Sequence, residues 1–327
     1  MEKSDKIIVG ISLGDSNGIG IEVVLKTFQD KRMLEFCTPV LFGSTKVVSY
    51  HKKTLNLENN IHGIHSLDKI SHGKINLLNV IKEDVVINLG NSTKQSGNFA
   101  LQSLSAATTA LKDNSINVLV TAPINKENIQ SDEFSFPGHT EYLEEKLDGK
   151  SLMILMTNKL RIGLVTGHIP ISQVAETIST ELIKEKVATM HQSLKQDFGI
   201  SKPKIAVLGL NPHCGDKGVI GKEDDEIIKP TIKEIKETGK LVFGPYASDG
   251  FFGSQTYTQF DGVLAMYHDQ GLAPFKALSF GNGVNFTAGL NKVRTSPDHG
   301  TGFDIAGKNT ANEASFKEAL FTAIKIY

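Results

Sequence analysis

Short apolar runs alternate with longer segments of helical spacing along this chain. Residues 7–12 form a β-branched run, and after a glycine-rich loop the apolar residues of 21–29 recur at helical intervals. The alternation continues with a strand at 39–43 before a helix at 45–53, and a helix at 100–113 before a strand at 116–123. Such alternation is typical of a largely parallel sheet covered by helices. The pattern therefore predicts an α/β fold.

One stretch in the middle of the chain departs from this alternation. Two apolar runs, at 152–157 and 161–168, are separated by a short link that contains Asn158 and Lys159. An Asn-Lys pair suits a tight turn, so the two runs predict an antiparallel hairpin. The sheet is therefore not expected to be parallel throughout.

Helical spacing returns in the second half of the chain. Helices are predicted at 181–198 and 223–237, and each is followed by a strand-like run, at 204–210 and 262–268. The second helix carries Pro230 inside its pattern. Because proline lacks the N–H that an interior helical residue donates, we expect a kink or a break there.

The chain is long enough for two domains, but no repeat or linker separates two halves. Any two domains must therefore be interleaved. We expect residues 1–125 and 280–327 to form the first α/β domain and residues 126–279 to form the second. The apolar helix predicted at 314–327 would then pack beside the N-terminal sheet.

Charge and composition exclude several classes of protein. The 35 Lys and Arg residues nearly balance 36 Asp and Glu residues, for a net charge of −1, so no basic footprint for nucleic acid is present. Hydrophobic residues make up 39% of the chain without a run long enough for a membrane span. The two cysteines, Cys37 and Cys214, form no disulfide or metal framework. We expect a cytoplasmic protein that binds neither nucleic acid nor membrane.

The first glycine-rich loop carries the spacing Gly14-x-Ser16-x-Gly18 between a strand and a helix. This spacing matches the nucleophile elbow of serine hydrolases, but that elbow follows several strands and only one precedes Ser16. The glycines match neither a dinucleotide fingerprint nor a P-loop. The simpler interpretation is a tight turn whose following helix N-terminus can receive a phosphate or carboxylate.

Five of the ten histidines lie in loops punctuated by glycine or proline, and three of them follow apolar strands directly: His168, His213 and His268. Ligands bind at the carboxyl ends of strands in open α/β sheets, so three imidazoles could converge there. Three protein ligands with an open position are typical of catalytic metal sites. The spacings are too wide for a local metal motif, and a loop histidine is often a hydrogen-bonding cap or a solvated group.

Arg294 is one of three arginines in the chain and lies near the last of these loops. A planar guanidinium suits bidentate recognition of phosphate or carboxylate. A surface salt bridge is the competing interpretation. Cys214 lies next to His213 in sequence, but such adjacency does not create the spatial pairing that activates a thiol, so we treat it as incidental.

The ordered segments together resemble the 4-hydroxythreonine-4-phosphate dehydrogenase family of vitamin B6 biosynthesis. They are GDSNGIGIE, VTAPINKE, FPGHTEYL, LRIGLVTGHIP, LGLNPHCGDKGVIGKED, GPYASDGFF, VLAMYHDQGLAPFK and GVNFTAGLNKVRTSPDHGTGFDIAG, and they extend over residues 8–312. The resemblance implies a fold like that of isocitrate and isopropylmalate dehydrogenases, with two interleaved α/β/α domains and a cleft between them. It also implies dimerisation elements in the second domain and a homodimer whose active site lies at the subunit interface.

The resemblance assigns roles to individual residues of this sequence. It implies metal ligands at His168, His213 and His268, and substrate contacts at His139, Thr140, Lys276, Asn285 and Arg294. The segment from His299 resembles the nucleotide loop of β-decarboxylating dehydrogenases, which implies contacts with NAD or NADP at His299, Gly300, Asp304 and Asn312. Ser16 and Ile21 stand where the family usually has proline, and the stretch after Lys276 also differs, which bears on substrate choice.

The implied reaction is oxidation of 4-phosphohydroxy-L-threonine at its C3 hydroxyl, followed by decarboxylation of the resulting β-keto acid. A divalent ion, zinc, magnesium or cobalt, would lower the pKa of the hydroxyl. Candidates for the general base are Asp249, Asp269 and Lys276. The alternatives are a related dehydrogenase acting on threonate or erythronate 4-phosphate, a serine hydrolase, and a binding protein without catalysis.

Overall fold

The computed structural model describes residues 6–327, which divide into two compact units. The first unit combines the segment that ends at Asp148 with the C-terminal segment Asn291–Tyr327. The second unit is Gly149–Leu290. The chain therefore leaves the first unit, completes the second and returns.

Strands and helices alternate through the first unit. Its elements are β1 (Ile8–Ser12), α1 (Gly20–Thr27), α2 (Met33–Phe36), β2 (Thr38–Gly43), α3 (Thr45–Thr54), β3 (Ile61–Ile64), β4 (Ile75–Asn79), α4 (Lys94–Lys112), β5 (Val118–Thr121), α5 (His139–Lys146), β12 (Val293–Pro297) and α11 (Ala314–Ile326). Its strands run in the order β3-β4-β2-β1-β5-β12, and every pair is parallel. The predicted parallel sheet is confirmed in this unit.

The long helix α4 begins at a capping box. The Thr93 hydroxyl accepts a hydrogen bond from the Ser96 N–H at 3.1 Å, and the Ser96 hydroxyl lies 3.4 Å from the Thr93 N–H, so two donors that have no helical partner are satisfied. Its buried face includes Ser96, Ser103 and Thr108 among the apolar residues. Within residues 6–327, no helix is long and apolar enough to cross a membrane.

The C-terminal helix α11 packs on β12 and β5, as the sequence predicts. Its buried face carries Phe316, Ala319 and Leu320 at helical spacing. The Thr295 hydroxyl of β12 donates to the Ala319 carbonyl at 2.8 Å. This helix therefore closes one side of the first sheet.

The second unit has a mixed sheet. Its elements are β6 (Gly149–Met156), β7 (Arg161–Leu164), α6 (Ile171–Thr177), α7 (Thr180–Gln196), β8 (Lys204–Leu208), α8 (Lys229–Glu237), β9 (Leu241–Tyr246), α9 (Ser248–Gly253), β10 (Gly262–Ala265), α10 (His268–Ser279) and β11 (Val284–Leu290). The strand order is β11-β6-β7-β10-β8-β9, with β6 antiparallel to both neighbours and the other pairs parallel.

Two local predictions about this unit are confirmed. The runs β6 and β7 form an antiparallel hairpin, closed by a hydrogen bond from the Thr157 N–H to the Leu160 carbonyl at 2.8 Å across Asn158 and Lys159. The helix that contains Pro230 is irregular, because a π-helical turn at Asp224–Ile228 precedes α8. Pro230 is the second residue of α8, directly after this turn, and it cannot donate the N–H that a continuous α-helix would require there.

The observed unit boundaries lie later in the chain than the boundaries expected after residues 125 and 279. The first unit retains the loop after β5 and the helix α5, so the chain leaves it only after Asp148. The second unit retains β11, because this strand pairs with β6 from Val284 to Leu290. Apolar pattern alone does not reveal which strand is the neighbour of β11.

Replacing Phe316 with alanine tests the packing of α11. The side chain is 0% exposed, and we expect its truncation to cost about 3–5 kcal/mol of unfolding free energy. Urea denaturation measures the loss. Phe321→Ala on the same helix is the matched control, because Phe321 is 37% exposed. An equal shift for both variants would contradict the assignment of Phe316 to the core.

Candidate active site

Three loops meet at the carboxyl ends of β1, β5 and β12, which are neighbours in the first sheet. The Asp15 N–H donates to the Pro123 carbonyl at 3.0 Å, and the Ile19 N–H donates to the Thr301 carbonyl at 2.9 Å. A Cβ at Gly18 would lie 2.7 Å from the Thr301 carbonyl oxygen, so glycine permits this close approach. The first glycine-rich loop is therefore a packing junction between the other two.

The buried carboxylate of Asp15 holds this junction together. It accepts hydrogen bonds from the Asn17 N–H at 2.9 Å, the Ser96 hydroxyl at 3.1 Å and the Asn128 side chain at 2.7 Å. These donors belong to the glycine-rich loop, the start of α4 and the loop after β5. A buried charge is tolerated when donors of this kind surround it.

Ser16 is not placed to act as a nucleophile. Its side chain is 0% exposed, and its hydroxyl has no hydrogen-bond partner within residues 6–327. Among the hydrogen bonds of the described chain, only one joins Ser16 to a histidine. It links the His51 Nε2 atom to the Ser16 carbonyl oxygen, not to the hydroxyl, at 2.8 Å. The geometry therefore does not support the serine-hydrolase alternative.

Arg294 is fully buried at the centre of the first unit. Its side chain is 1% exposed, and its Nε and Nη2 atoms donate to the Thr121 hydroxyl at 3.1 and 2.6 Å. The residue lies on β12 and Thr121 ends the neighbouring strand β5, so the parallel pairing brings the two together. The surface-salt-bridge interpretation of Arg294 is wrong, because the guanidinium is inside the protein.

Electrostatics couple Arg294 to His139 at the start of α5. Burial lowers the pKa of Arg294 to about 9, and the charge of Glu141 opposes that shift. Burial also holds the pKa of His139 well below its usual value of 6.5, and the positive charges of Arg294 and Lys126 lower it further. The site thus presents a cation beside a neutral imidazole, an arrangement that favours an anionic ligand.

The His139 ring has an unused polar atom. His139 is half-buried, but its Nε2 atom is fully buried and makes no hydrogen bond to any described residue. Thr140 follows it in the first turn of α5 and is also half-buried. The structure therefore brings His139, Thr140 and Arg294, three of the expected substrate contacts, into one unit.

The expected cofactor residues lie in the segment after β12 and have different surroundings. The His299 Nδ1 atom is 3.0 Å from the Gly300 carbonyl, and its Nε2 atom is buried without a hydrogen-bond partner in the described chain. Asp304 is exposed in a short 3-10 helix. The Asn312 side chain accepts from the Ala314 N–H at 2.8 Å and so forms an Asx turn just before α11.

In the second unit, His168 and His268 lie together. Strands β7 and β10 are parallel neighbours, and their pairing continues past the strand ends through a hydrogen bond from the Thr166 N–H to the Met266 carbonyl at 3.1 Å. Each histidine follows two residues later, and the ring centroids are 5.4 Å apart. The pair lines a cavity of about 480 Å³. The predicted convergence is therefore observed for two of the three histidines.

Asp269 orients the ring of His268. Its Oδ1 atom lies 2.7 Å from the His268 Nδ1 atom, which leaves Nε2 free to face a ligand. A carboxylate on the second ring nitrogen is typical of metal-binding histidines. Asp269 thus contacts His268, one of the expected metal ligands.

His213 is exposed on the loop after β8. No group of three or more His, Cys, Asp and Glu residues is arranged to hold a metal ion within one copy of the described chain. One chain therefore presents the His168 and His268 pair and carries His213 separately. Burial raises the pKa of the neighbouring Cys214 thiol, which disfavours the thiolate.

The remaining expected residues also belong to the second unit. Lys276 is exposed on α10, and Asp249 is exposed on α9. Asn285 lies on β11, with its Oδ1 atom buried and without a hydrogen-bond partner in residues 6–327. A buried amide oxygen of this kind is an available acceptor for a ligand.

Comparison with known proteins identifies the family. The family described as pyridoxal phosphate biosynthetic protein PdxA matches residues 35–323 of this chain. The chain belongs to the PdxA family. A PdxA relative from Bacteroides thetaiotaomicron, named 4-hydroxythreonine-4-phosphate dehydrogenase, is 53% identical over 99% of this chain and 90% of its own length.

Other relatives extend the comparison. The crystal structure of 4-hydroxythreonine-4-phosphate dehydrogenase from Klebsiella pneumoniae has a TM-score of 0.83 and 31% identity, over 98% of this chain and 99% of that one. The mixed α/β fold is thus that of the solved PdxA dehydrogenases. A protein of Oceanobacillus iheyensis, provisionally named D-threonate 4-phosphate dehydrogenase, is 37% identical over 99% of this chain and 98% of its own length.

Sequence reasoning missed several residues that support the site in this PdxA protein. Asp15 and Asp224 are buried, and their carboxylates accept hydrogen bonds from backbone N–H groups. The Gln270 side chain accepts from the Met266 N–H at 2.7 Å and donates to the Gly209 carbonyl at 2.6 Å. An acidic residue within a glycine-rich segment is the only sequence signal for the first two, and Gln270 carries none.

The buried His51 predicts a pH dependence of stability. Burial lowers its pKa from 6.5 to about 4, so the unfolded chain binds an extra proton between these values and stability falls as the pH drops through this window. The full loss is about 3 kcal/mol. In urea titrations at several pH values, His51→Gln should lose stability less steeply with acid than the parent. His65→Gln, at an exposed position, should match the parent; a parent-like slope in His51→Gln would contradict the assignment.

Arg294→Lys tests the anion site directly. Lysine keeps a positive charge but not the planar pair of donors, and loss of a charged hydrogen bond of about 1.5–3 kcal/mol corresponds to roughly 10- to 100-fold weaker binding. Calorimetric titration with inorganic phosphate measures the change. Arg161→Lys is the control, because Arg161 lies over the Phe198 ring in the second unit. Unchanged phosphate affinity in Arg294→Lys would remove this residue from the site.

Proposed function

We propose that this protein oxidises 4-phosphohydroxy-L-threonine at its C3 hydroxyl, with NAD or NADP as acceptor. The product, 2-amino-3-oxo-4-phosphooxybutanoate, is a β-keto acid and loses CO₂ to give 3-amino-2-oxopropyl phosphate, because the ketone accepts the electrons released by the carboxylate. The buried Arg294 beside His139 carries the proposal, since it supplies an anion site in a family whose relatives are named for a phosphorylated substrate. The reaction belongs to the biosynthesis of pyridoxal phosphate, from which the family takes its name.

The substrate phosphate would bind through charge and directed donors. Arg294 provides the guanidinium, and the free Nε2 atom of His139 and the Thr140 hydroxyl provide hydrogen bonds. A bound phosphate raises the pKa of His139, because its negative charge stabilises the imidazolium. Lys276 and Asn285 are assigned to the other polar groups of the substrate. These contacts would hold C3 in a fixed orientation for hydride loss.

We assign a divalent metal to His168, His268 and His213. The ring separation of the first two and the Asp269 hydrogen bond fit this role, with His268 coordinating through Nε2. Since His213 stands apart in one chain, we assign the complete site to a homodimer in which a second copy supplies a ligand across the subunit interface. A donor set of three histidines suits zinc or cobalt, whereas magnesium prefers oxygen ligands.

The metal and the nicotinamide supply the chemistry that side chains lack: a positive charge that lowers the pKa of the substrate hydroxyl, and an acceptor for hydride from C3. The protein must also remove the hydroxyl proton. The carboxylate of Asp269 already holds His268 Nδ1, so the Lys276 amine and the Asp249 carboxylate are the better candidates for the general base. His299, Gly300, Asp304 and Asn312 are assigned to the nicotinamide cofactor. The buried, unpaired Nε2 of His299 supports this part most directly.

A second substrate is favoured by one observation. The relative provisionally named D-threonate 4-phosphate dehydrogenase is 37% identical to this chain, so both names occur among its relatives. The two substrates share the C4 phosphate and the C3 hydroxyl and differ at C2, where an amine replaces a hydroxyl. Recognition of the C2 group therefore decides between them.

Turnover of the two substrates tests the proposal. Formation of reduced nicotinamide is followed by absorbance, with each substrate and with NAD or NADP, after chelation and again after addition of Co²⁺. We expect metal-dependent reduction with 4-phosphohydroxy-L-threonine, and a loss of more than about tenfold in His268→Ala. Faster turnover of D-threonate 4-phosphate would establish the alternative. Metal binding without turnover of either substrate would indicate a binding protein instead.

A further inference from the structure

The carboxylate of Asp224 is buried beneath the loop that carries His213. It is 0% exposed and lies at the first residue of the π-helical turn before α8. Its Oδ1 atom accepts from the Leu210 N–H at 2.9 Å, and its Oδ2 atom accepts from the Asn211 N–H at 3.0 Å. The Asn211 side chain also donates to Oδ2, at 3.0 Å. A buried charge of this kind is therefore matched by donors from the segment just before His213.

The loop itself has an unusual backbone. Six consecutive residues from His213 to Gly218 have positive φ, and four of them are not glycine: His213 at 52°, Cys214 at 53°, Asp216 at 42° and Lys217 at 56°. Left-handed backbone is disfavoured for residues with a Cβ, and such a run persists only where the surroundings hold it. Contacts with the surrounding residues must therefore stabilise this backbone conformation.

The loop closes tightly around Asp224. The Ile220 N–H donates to the Gly215 carbonyl at 3.0 Å. A Cβ at Gly215 would lie 2.6 Å from the Gly221 carbonyl oxygen and 3.6 Å from Asp224 Oδ2, and a Cβ at Gly209 would lie 2.7 Å from Asp224 Oδ1. Glycine at these positions lets the backbone wrap the carboxylate closely.

The same strand end is joined to the base of the His268 helix. The Gly209 carbonyl, next to Leu210, accepts from the Gln270 side chain at 2.6 Å, and Gln270 accepts from the Met266 N–H at 2.7 Å. Met266 lies two residues before His268. The segments that precede His213 and His268 are therefore fixed to one polar network.

We propose that Asp224 is the positioning residue for His213. Its carboxylate fixes the backbone at Leu210 and Asn211, and this anchor maintains the left-handed turn that presents the His213 imidazole to the metal. Asp224 is buried and acts only through the loop. The inference rests on the proposed function, because that function assigns His213 as a metal ligand.

Asp224→Asn tests the inference, with binding of Co²⁺ to the full-length, metal-free protein as the readout. The variant has nearly the same shape, but one acceptor oxygen becomes an NH₂ group that cannot accept an N–H. We expect Co²⁺ affinity, measured by calorimetry, to fall roughly 10- to 100-fold. We also expect faster hydrogen exchange at the Leu210 and Asn211 amides, with exchange in the first unit unchanged.

Two variants make the result specific. Glu223→Gln is the matched control: Glu223 accepts from the same Asn211 side chain at 2.8 Å, through Oε2, and its substitution should leave Co²⁺ affinity unchanged. Gly215→Ala distorts the loop without altering Asp224 and should weaken Co²⁺ binding as Asp224→Asn does. It provides the same test if Asp224→Asn fails to fold.

The outcomes separate the two claims. If the parent protein does not bind Co²⁺, or if the His213→Ala variant binds Co²⁺ as well as the parent does, both the metal assignment and this inference are overturned. If His213→Ala weakens Co²⁺ binding but Asp224→Asn or Gly215→Ala binds Co²⁺ as well as the parent does, only the inference is overturned.

Discussion

Parallel pairing of strands is the constraint from which both groups of candidate site residues arise. Hydrogen bonds between β5 and β12 fix Arg294 beside Thr121, and those between β7 and β10 fix His168 beside His268. In a parallel pair, the carboxyl ends lie at one edge, so loops that are distant in sequence are brought together there. A shift of one residue in the register of β12 would turn Arg294 to the opposite face of the sheet.

The sequence predicts most of the fold because the fold depends on patterns that are local. Alternating apolar runs, the Asn158-Lys159 turn and the position of Pro230 each report on a few neighbouring residues. The unit boundaries are harder to predict from the sequence, because β11 belongs to the second unit through its pairing with β6. Strand order is a property of the folded chain and leaves no mark on the apolar pattern.

The candidate site likewise contains residues that the sequence predicts and residues that it does not. The convergence of His168 and His268 could be predicted, because each directly follows a strand, and the family resemblance named the residues that the loops carry. Asp15, Asp224 and Gln270 could not be found this way. Their partners are mostly backbone N–H and carbonyl groups, which every residue possesses, so only the folded geometry shows which ones they serve.

The discontinuous first unit has a consequence for the order in which the molecule is built during synthesis. Thr121 and His139 precede the second unit in sequence, whereas Arg294 and α11 follow it. The candidate anion site therefore cannot assemble until the ribosome has passed the whole of Gly149–Leu290. The pair of His168 and His268 is complete once the start of α10 has emerged, so the emerging chain can form this candidate metal-binding pair before the candidate anion site exists.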